Sequence, residues 1–213
     1  MKIALIDDHA VVREGYRALI ARQTDMAVVA EYADAGAAYE ELKGLDVDIV
    51  ITDLSMPGFS ALELVERMKQ RSHRSRFVVF TMHSNPSFAK KAFAAGAYGY
   101  VTKSSEPATL LHGLREISAG RRYLSGDIAQ ASALDRLGAE RGLLDELTVR
   151  EFEILRMLVD GKSVEHVAES LALSPKTIRN VHYTVKKKLG ARDDIDLVRV
   201  AIKLKIIDTL GIE

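Results

Sequence analysis

Five polar residues stand at the ends of short apolar runs. Asp7 and Asp8 follow Lys2-Ile3-Ala4-Leu5-Ile6, Asp53 follows Ile49-Val50-Ile51-Thr52, Thr81 closes the run from Arg76, and Lys103 follows Tyr98 to Thr102. Carboxylates packed together repel and call for a cation. An all-oxygen acidic site suits Mg²⁺, which keeps several waters and also takes phosphate oxygens. The chain has no cysteine, so a thiolate metal site is excluded. His9 lies beside two of the carboxylates, but no partner stands at metal-ligand spacing, and it reads as structural or surface. A cation and a lysine beside a carboxylate neutralise an arriving phosphoryl group, and aspartate is a covalent phosphoryl acceptor. Positioning and charge neutralisation do nearly all the work in such transfers. Taken alone, Asp53 before Pro57-Gly58 reads as well as a turn or cap residue. The inference rests on the whole set meeting in space.

The surrounding elements would bring them together. Val11, Val12, Tyr16, Leu19 and Ile20 fall at helical spacing after the first strand. Met26 to Ala30 reads as a second strand and Ala35 to Leu42 as a helix. Ser60 and Glu63 suit a capping box at the head of the helix after Asp53. Phe77-Val78-Val79-Phe80 forms the core of a fourth strand. Asn85-Pro86 suits the start of the next helix and Gly96 its left-handed stop. A fifth helix, from about Pro107 to Ala119, turns Leu110, Leu111, Leu114 and Ile117 inward. Strand and helix thus alternate five times, which predicts a parallel sheet with helices on both faces. Right-handed crossovers put every strand's carboxyl end on one edge, where open α/β sheets hold their ligands.

From Gly120 to about Glu146 the sheet-type runs stop, and the segment reads as an interdomain linker. Ile128, Ala131, Leu134 and Leu137 are spaced for a short helix within it. Thr148 and Glu151 then form a capping box, with Leu147 and Phe152 as a hydrophobic staple. A helix ending near Gly161 is followed by one over Val164 to Leu171, a tight turn at Ala172-Leu173, and a third capped by Ser174 with Pro175 at its first position. This is a helix-turn-helix pattern. Ile178, Val181, Val185 and Leu189 make the buried stripe of the third helix. Lys176, Thr177, Arg179, Asn180, Tyr183, Lys186 and Lys187 make its wet side, suited to the major groove. A fourth helix, from about Asp194 to Lys203, offers Ile195, Leu197, Val198 and Ile202 to a small core or a dimer face.

Ile6-Asp7-Asp8-His9, Thr52-Asp53-Leu54-Ser55-Met56-Pro57-Gly58, Thr81, Gly96-Ala97-Tyr98-Gly99-Tyr100 and Lys103 resemble the receiver domain of bacterial two-component response regulators. The second half, through Leu147-Thr148, Arg150-Glu151, Ser174-Pro175-Lys176-Thr177-Ile178 and Lys188-Leu189-Gly190, resembles the LuxR-type helix-turn-helix domain. In this order they are similar to the NarL/FixJ family over essentially the whole chain. The resemblance implies a flavodoxin-like (βα)5 receiver over 1–120, a linker over 121–146 and an all-α four-helix DNA-binding domain over 147–213. It implies that Asp53 takes a phosphoryl group from a sensor histidine kinase. Asp8, Asp53 and the backbone carbonyl of Ser55 would hold Mg²⁺, with Asp7 helping through water. Lys103 would pair with the phosphoryl oxygens, Thr81 would swing toward them, and Tyr100 would turn inward behind it. Thr81 as a turn cap and Tyr100 as a fixed core aromatic are the alternatives. The family's resting receiver commonly covers the DNA-binding helix, and phosphorylation makes a homodimer that binds double-stranded DNA. The receiver transfers a phosphoryl group to itself, and the resemblance does not imply an enzyme. Two departures stand out: Ser104 replaces a common proline after the lysine, and Val181-His182 reverses the family's order. The second leaves the readout or phosphate role of His182 open.

Composition narrows the classes further. Apolar content of 47% and charged content of 28% are those of a globular chain. Met1-Lys2 runs straight into a strand, so no signal peptide is expected, and no run approaches a membrane span. The absence of cysteine fits a cytoplasmic setting. The formal net charge is zero, yet Ser174 to Arg192 holds six basic residues and no acid, a local footprint for a polyanion. The alternative is a relay or protein-binding module whose helical domain docks a protein. A phosphatase is disfavoured, since no second catalytic acid is visible.

Overall fold

The computed structural model describes residues 1–54, 56, 60–137, 143–204, 206 and 207. Its sheet comprises β1 (Lys2–Ile6), β2 (Ala27–Tyr32), β3 (Ile49–Thr52), β4 (Arg76–Thr81), β5 (Gly99–Thr102) and β6 (Tyr123–Leu124), in the order β2-β1-β3-β4-β5-β6. Every pairing is parallel. Side chains alternate across the sheet, as the pleat requires. Ile3, Leu5, Ile49, Ile51, Val78, Phe80 and Val101 pack against α1 (Ala10–Ala21) and α5 (Pro107–Ser118). Ala4, Ile6, Val50, Phe77, Val79 and Tyr100 pack against α2 (Ala35–Leu42), α3 (Ala61–Gln70) and α4 (Pro86–Ala95). Strands buried on both faces explain the unbroken apolar runs.

Local devices form largely as expected. Asn85 caps α4 through the Ser87 amide, Pro86 takes the first position, and Gly96 ends the helix at φ 118°. Three expectations need correction. Val11 is 84% exposed, because α1 docks through Ile20, with Tyr16 and Leu19 partly buried. The segment after Gly120 does not leave the sheet at once: Tyr123 and Leu124 add β6 beside Gly99 and Tyr100. Two residues are too few to show a period. Finally, Ser60 caps α3 through the Leu62 amide, but Glu63 does not reach back to close a box.

Glu63 is used elsewhere. Beyond α6 (Gly126–Leu137) and a 3₁₀ turn at Leu143–Glu146 come α7 (Val149–Val159), α8 (Val164–Ser170), α9 (Pro175–Lys188) and α10 (Asp194–Lys203). The capping box of Thr148 and Glu151 is complete here. α7 lies on α3 and α4. Arg150 donates to Glu63 at 2.6 Å, and the Ser60 hydroxyl donates to the Glu153 carboxylate. Buried Lys91 donates to the Leu147 carbonyl, and Asn85 Nδ2 to the Leu204 carbonyl at 2.7 Å. Phe88 and Phe152 meet edge to face, centroids 4.7 Å apart, inside one continuous apolar core. Among the described residues, no helix is long and apolar enough to cross a membrane.

Glu153 makes this interface pH-sensitive. Burial raises its carboxyl pKa above the ordinary 4.5, against the pull of Ser60 and Arg150. A carboxyl whose pKa is raised on docking binds its proton better when docked. Docking therefore gains as the pH falls through the raised value and has its full contribution below 4.5. Glu153→Gln keeps a group that accepts from Ser60 and removes the titration. Melting profiles between pH 7 and 4.5 should flatten in this variant; an unchanged slope would exclude Glu153 as the source.

Candidate functional site

The carboxyl ends of β1, β3 and β5 bring Asp7, Asp8, Asp53 and Lys103 together where the strand order reverses. Lys103 Nζ sits 2.6 Å from Asp7 Oδ2 and 2.8 Å from Asp53 Oδ2. These side chains are 9%, 8% and 5% exposed. Burial opposes the ammonium, but the adjacent Asp53 and Asp7 carboxylates prevail and hold the Lys103 pKa above that of an ordinary lysine. The main chain fixes this arrangement: the Asp53 amide donates to the Ile6 carbonyl at 2.9 Å, and the Lys103 amide to the Thr81 carbonyl at 2.7 Å.

Two residues join the site that the sequence did not assign to it. His9 Nδ1 lies 2.9 Å from Asp8 Oδ1 and 3.3 Å from Asp7 Oδ1, so this surface ring, 65% exposed, borders the cluster. One ligand atom from each of Asp7, Asp8, His9 and Asp53 lies within 4.8 Å of the others. Asp53 comes from a distant strand, which is why spacing along the chain left His9 out of the set. Arg13, one turn into α1, donates to the Asp7 carbonyl. Asp8 Oδ1 is closed off from solvent, and its near neighbour, His9 Nδ1 at 2.9 Å, lacks the alignment of a hydrogen bond, which leaves a carboxylate oxygen of the kind that suits a cation. Ser55 lies outside the described residues.

Thr81 and Tyr100 are both fully buried. The Thr81 hydroxyl accepts from the His83 amide at 3.3 Å. Tyr100 already points inward, its hydroxyl donating to the His83 carbonyl at 2.8 Å. Burial, with the charges of Asp53 and Asp127, pushes its phenol pKa well up. Tyr100 therefore occupies the inward position, which the switch role and the reading as a fixed core aromatic share. Burial lowers the Arg156 pKa, opposed by Asp160, Glu153 and Asp53.

The second candidate surface is α9. Ser174 caps it through the Thr177 amide, and Ile178 and Val185 are buried, with Leu189 behind them. Lys176, Arg179, Asn180 and Lys187 are exposed, and Tyr183 is 69% exposed. Thr177 is half-buried and shares a hydroxyl contact with Ser174 at 2.8 Å. Arg179 pairs with Glu165 at 2.8 Å. Lys186 and His182 instead turn toward Asp194, at 2.7 and 3.3 Å. His182 is partly buried, which lowers its pKa against the pull of Asp194. The receiver-like half rests on α7 and leaves the basic face of α9 open, so the covered recognition helix expected from the resemblance is not what this structure holds.

Comparison with known proteins bears on both halves. Residues 3–115 match the family model "Response regulator receiver domain", and residues 145–201 match "Bacterial regulatory proteins, luxR family". The response regulator UvrY of Escherichia coli K12 is 31% identical over 205 residues, covering 95% of this chain and 94% of that protein. A LuxR-family two-component response regulator from Aurantimonas sp. SI85-9A1 is 51% identical, with a TM-score of 0.62, over 64% of this chain and 97% of that one. RcsB from Salmonella enterica serovar Typhimurium, bound to a promoter with the phosphomimetic BeF3⁻, superposes with a TM-score of 0.80 at 28% identity, over 97% and 99% of the two chains.

Proposed function

Because this chain belongs to the NarL/FixJ response regulators, which join a receiver to a LuxR-type DNA-binding domain, we propose that Asp53 accepts a phosphoryl group from a sensor histidine kinase and thereby controls homodimerisation and sequence-specific DNA binding. The observation that carries this is the Lys103 bridge between Asp7 and Asp53, set beside the Asp8 carboxylate within one cluster. An Asp53 carboxylate oxygen attacks phosphorus, the bond to the donor's histidine nitrogen breaks, and the acyl phosphate forms. Asp8, Asp53 and the Ser55 carbonyl would hold Mg²⁺, with Asp7 acting through water, and the ion would neutralise phosphoryl charge there. Lys103 gives up Asp53 Oδ2 for a phosphoryl oxygen, and the Thr81 hydroxyl leaves the His83 amide for another. We assign 1–120 to the receiver, 121–146 to the linker and 147–213 to the DNA-binding domain, with β6 tying the linker's first residues to the sheet.

On α9, Arg179, Asn180 and Tyr183 would meet base edges, while Lys176, Thr177 and Lys187 would meet phosphates. Lys186 and His182 flank this face, and each must leave Asp194 to take part. Selection of duplexes from a random pool, with and without BeF3⁻ and Mg²⁺, tests the proposal. Enriched paired half-sites, bound more tightly with the anion and steeply weakened by salt, support it. Equal capture of all sequences at every salt concentration refutes it. Against a selected site, Arg179→Ala should cost about 1–3 kcal/mol of specific binding. Equal affinity of variant and parent in a titration would remove Arg179 from the readout set.

A further inference from the structure

His83 stands between the receiver's switch residues and the second domain. Its amide donates to the Thr81 hydroxyl at 3.3 Å, and its carbonyl accepts from the Tyr100 hydroxyl at 2.8 Å. Its backbone is therefore held by the two side chains that a phosphoryl group at Asp53 would engage. Its ring lies parallel to that of Phe88, centroids 4.4 Å apart and 7° between planes. Phe88 meets Phe152 of α7 at 4.7 Å and 87°. Phe88 and Phe152 are both fully buried. Closely packed rings do not slide without losing contact, so such a stack has discrete arrangements rather than a continuum.

We propose that His83 is a positioning residue that transmits the state of Asp53 to the DNA-binding domain, through its ring on Phe88 and thence Phe152. This rests on the reading of Asp53 as phosphoryl acceptor. When the Thr81 hydroxyl turns to the phosphoryl group, the His83 amide loses that contact. The loop then shifts, the ring leaves Phe88, and Phe88 no longer holds Phe152 at its present angle. The Ser60–Glu153 and Glu63–Arg150 contacts beside it open with it. Release of α7 frees the second domain to find the spacing that a paired site demands. The route begins at a group with two states and runs through continuous contacts, and coupling measurements decide it.

The test uses the full chain with Mg²⁺ and BeF3⁻. Amide hydrogen exchange is followed over 149–159, and fluorine NMR reports anion binding at the receiver. His83→Ala keeps both backbone contacts and deletes the ring; His83→Phe restores a ring. In the parent, the anion should speed exchange across α7 by about fivefold or more. In His83→Ala, the anion should still bind, but the ratio of exchange with and without it should approach one. His83→Phe should recover most of the parent's ratio, which a purely structural defect at this position would not explain. Equal responses in the parent and His83→Ala overturn the proposal, as does His83→Phe behaving like His83→Ala. A parent that binds the anion without changing α7 exchange also overturns it. A parent that does not bind the anion overturns the Asp53 reading itself, and fluorine NMR separates that failure from the others.

Discussion

Lys103→Met should destabilise the chain by about 3–5 kcal/mol, the cost of leaving a buried charge without its partner. Asp7 and Asp53 are almost fully buried, and Lys103 neutralises both at hydrogen-bond distance. Methionine fills a similar volume, so the loss is electrostatic rather than a cavity. The two carboxylates then face each other across a low-dielectric edge without a counter-charge. Two further results follow. Asp53→Asn in the Lys103→Met background should recover part of the loss. Mg²⁺ should stabilise the variant more than the parent, because the ion no longer competes with an ammonium; one hundred times its dissociation constant is worth about 2.7 kcal/mol. Urea unfolding with and without Mg²⁺ reads all three. A variant within about 1 kcal/mol of the parent would mean that the lysine is not the neutralising group of this edge.

Phe152→Ala is the second large effect, at about 3–5 kcal/mol. The ring is fully buried in a core that runs from the sheet into the helical half. The polar contacts beside it weigh less. Arg150 is about a third exposed, which screens its pair with Glu63 and limits its worth to about 1 kcal/mol or less. The apolar wedge therefore dominates the docking, and its removal should split a single unfolding transition into two. Calorimetry checks this. One cooperative transition at the parent's temperature would show that the domains are held by something other than the Phe88–Phe152 contact.

Much of this was readable from residue order. Apolar runs ending in Asp7, Asp53, Thr81 and Lys103 imply a parallel sheet, and a parallel sheet implies convergence. The alternation of Ile178, Val181, Val185 and Leu189 with Lys176, Arg179 and Asn180 likewise implies a helix with one wet basic face. What stayed hidden depends on contacts between distant segments. Ser60 and Glu63 carry the spacing of a capping box, yet a partner helix takes the Glu63 carboxylate and the Ser60 hydroxyl. The tertiary contacts replace the local device here. His9 has no metal-ligand spacing along the chain because its companion Asp53 is on another strand. β6 is two residues at a sheet edge, below what any periodicity can register. His83 gives no signal at all in the sequence; its place follows from the rings that flank it.

The central claim is that Asp53 is a Mg²⁺-dependent phosphoryl acceptor, and intact-mass spectrometry tests it most directly. The parent and Asp53→Ala are incubated with a small phosphoryl donor, with and without Mg²⁺. The account requires one phosphoryl adduct, on the parent alone and only with the metal. An adduct that persists in Asp53→Ala, or none on a parent that still binds DNA, would contradict it.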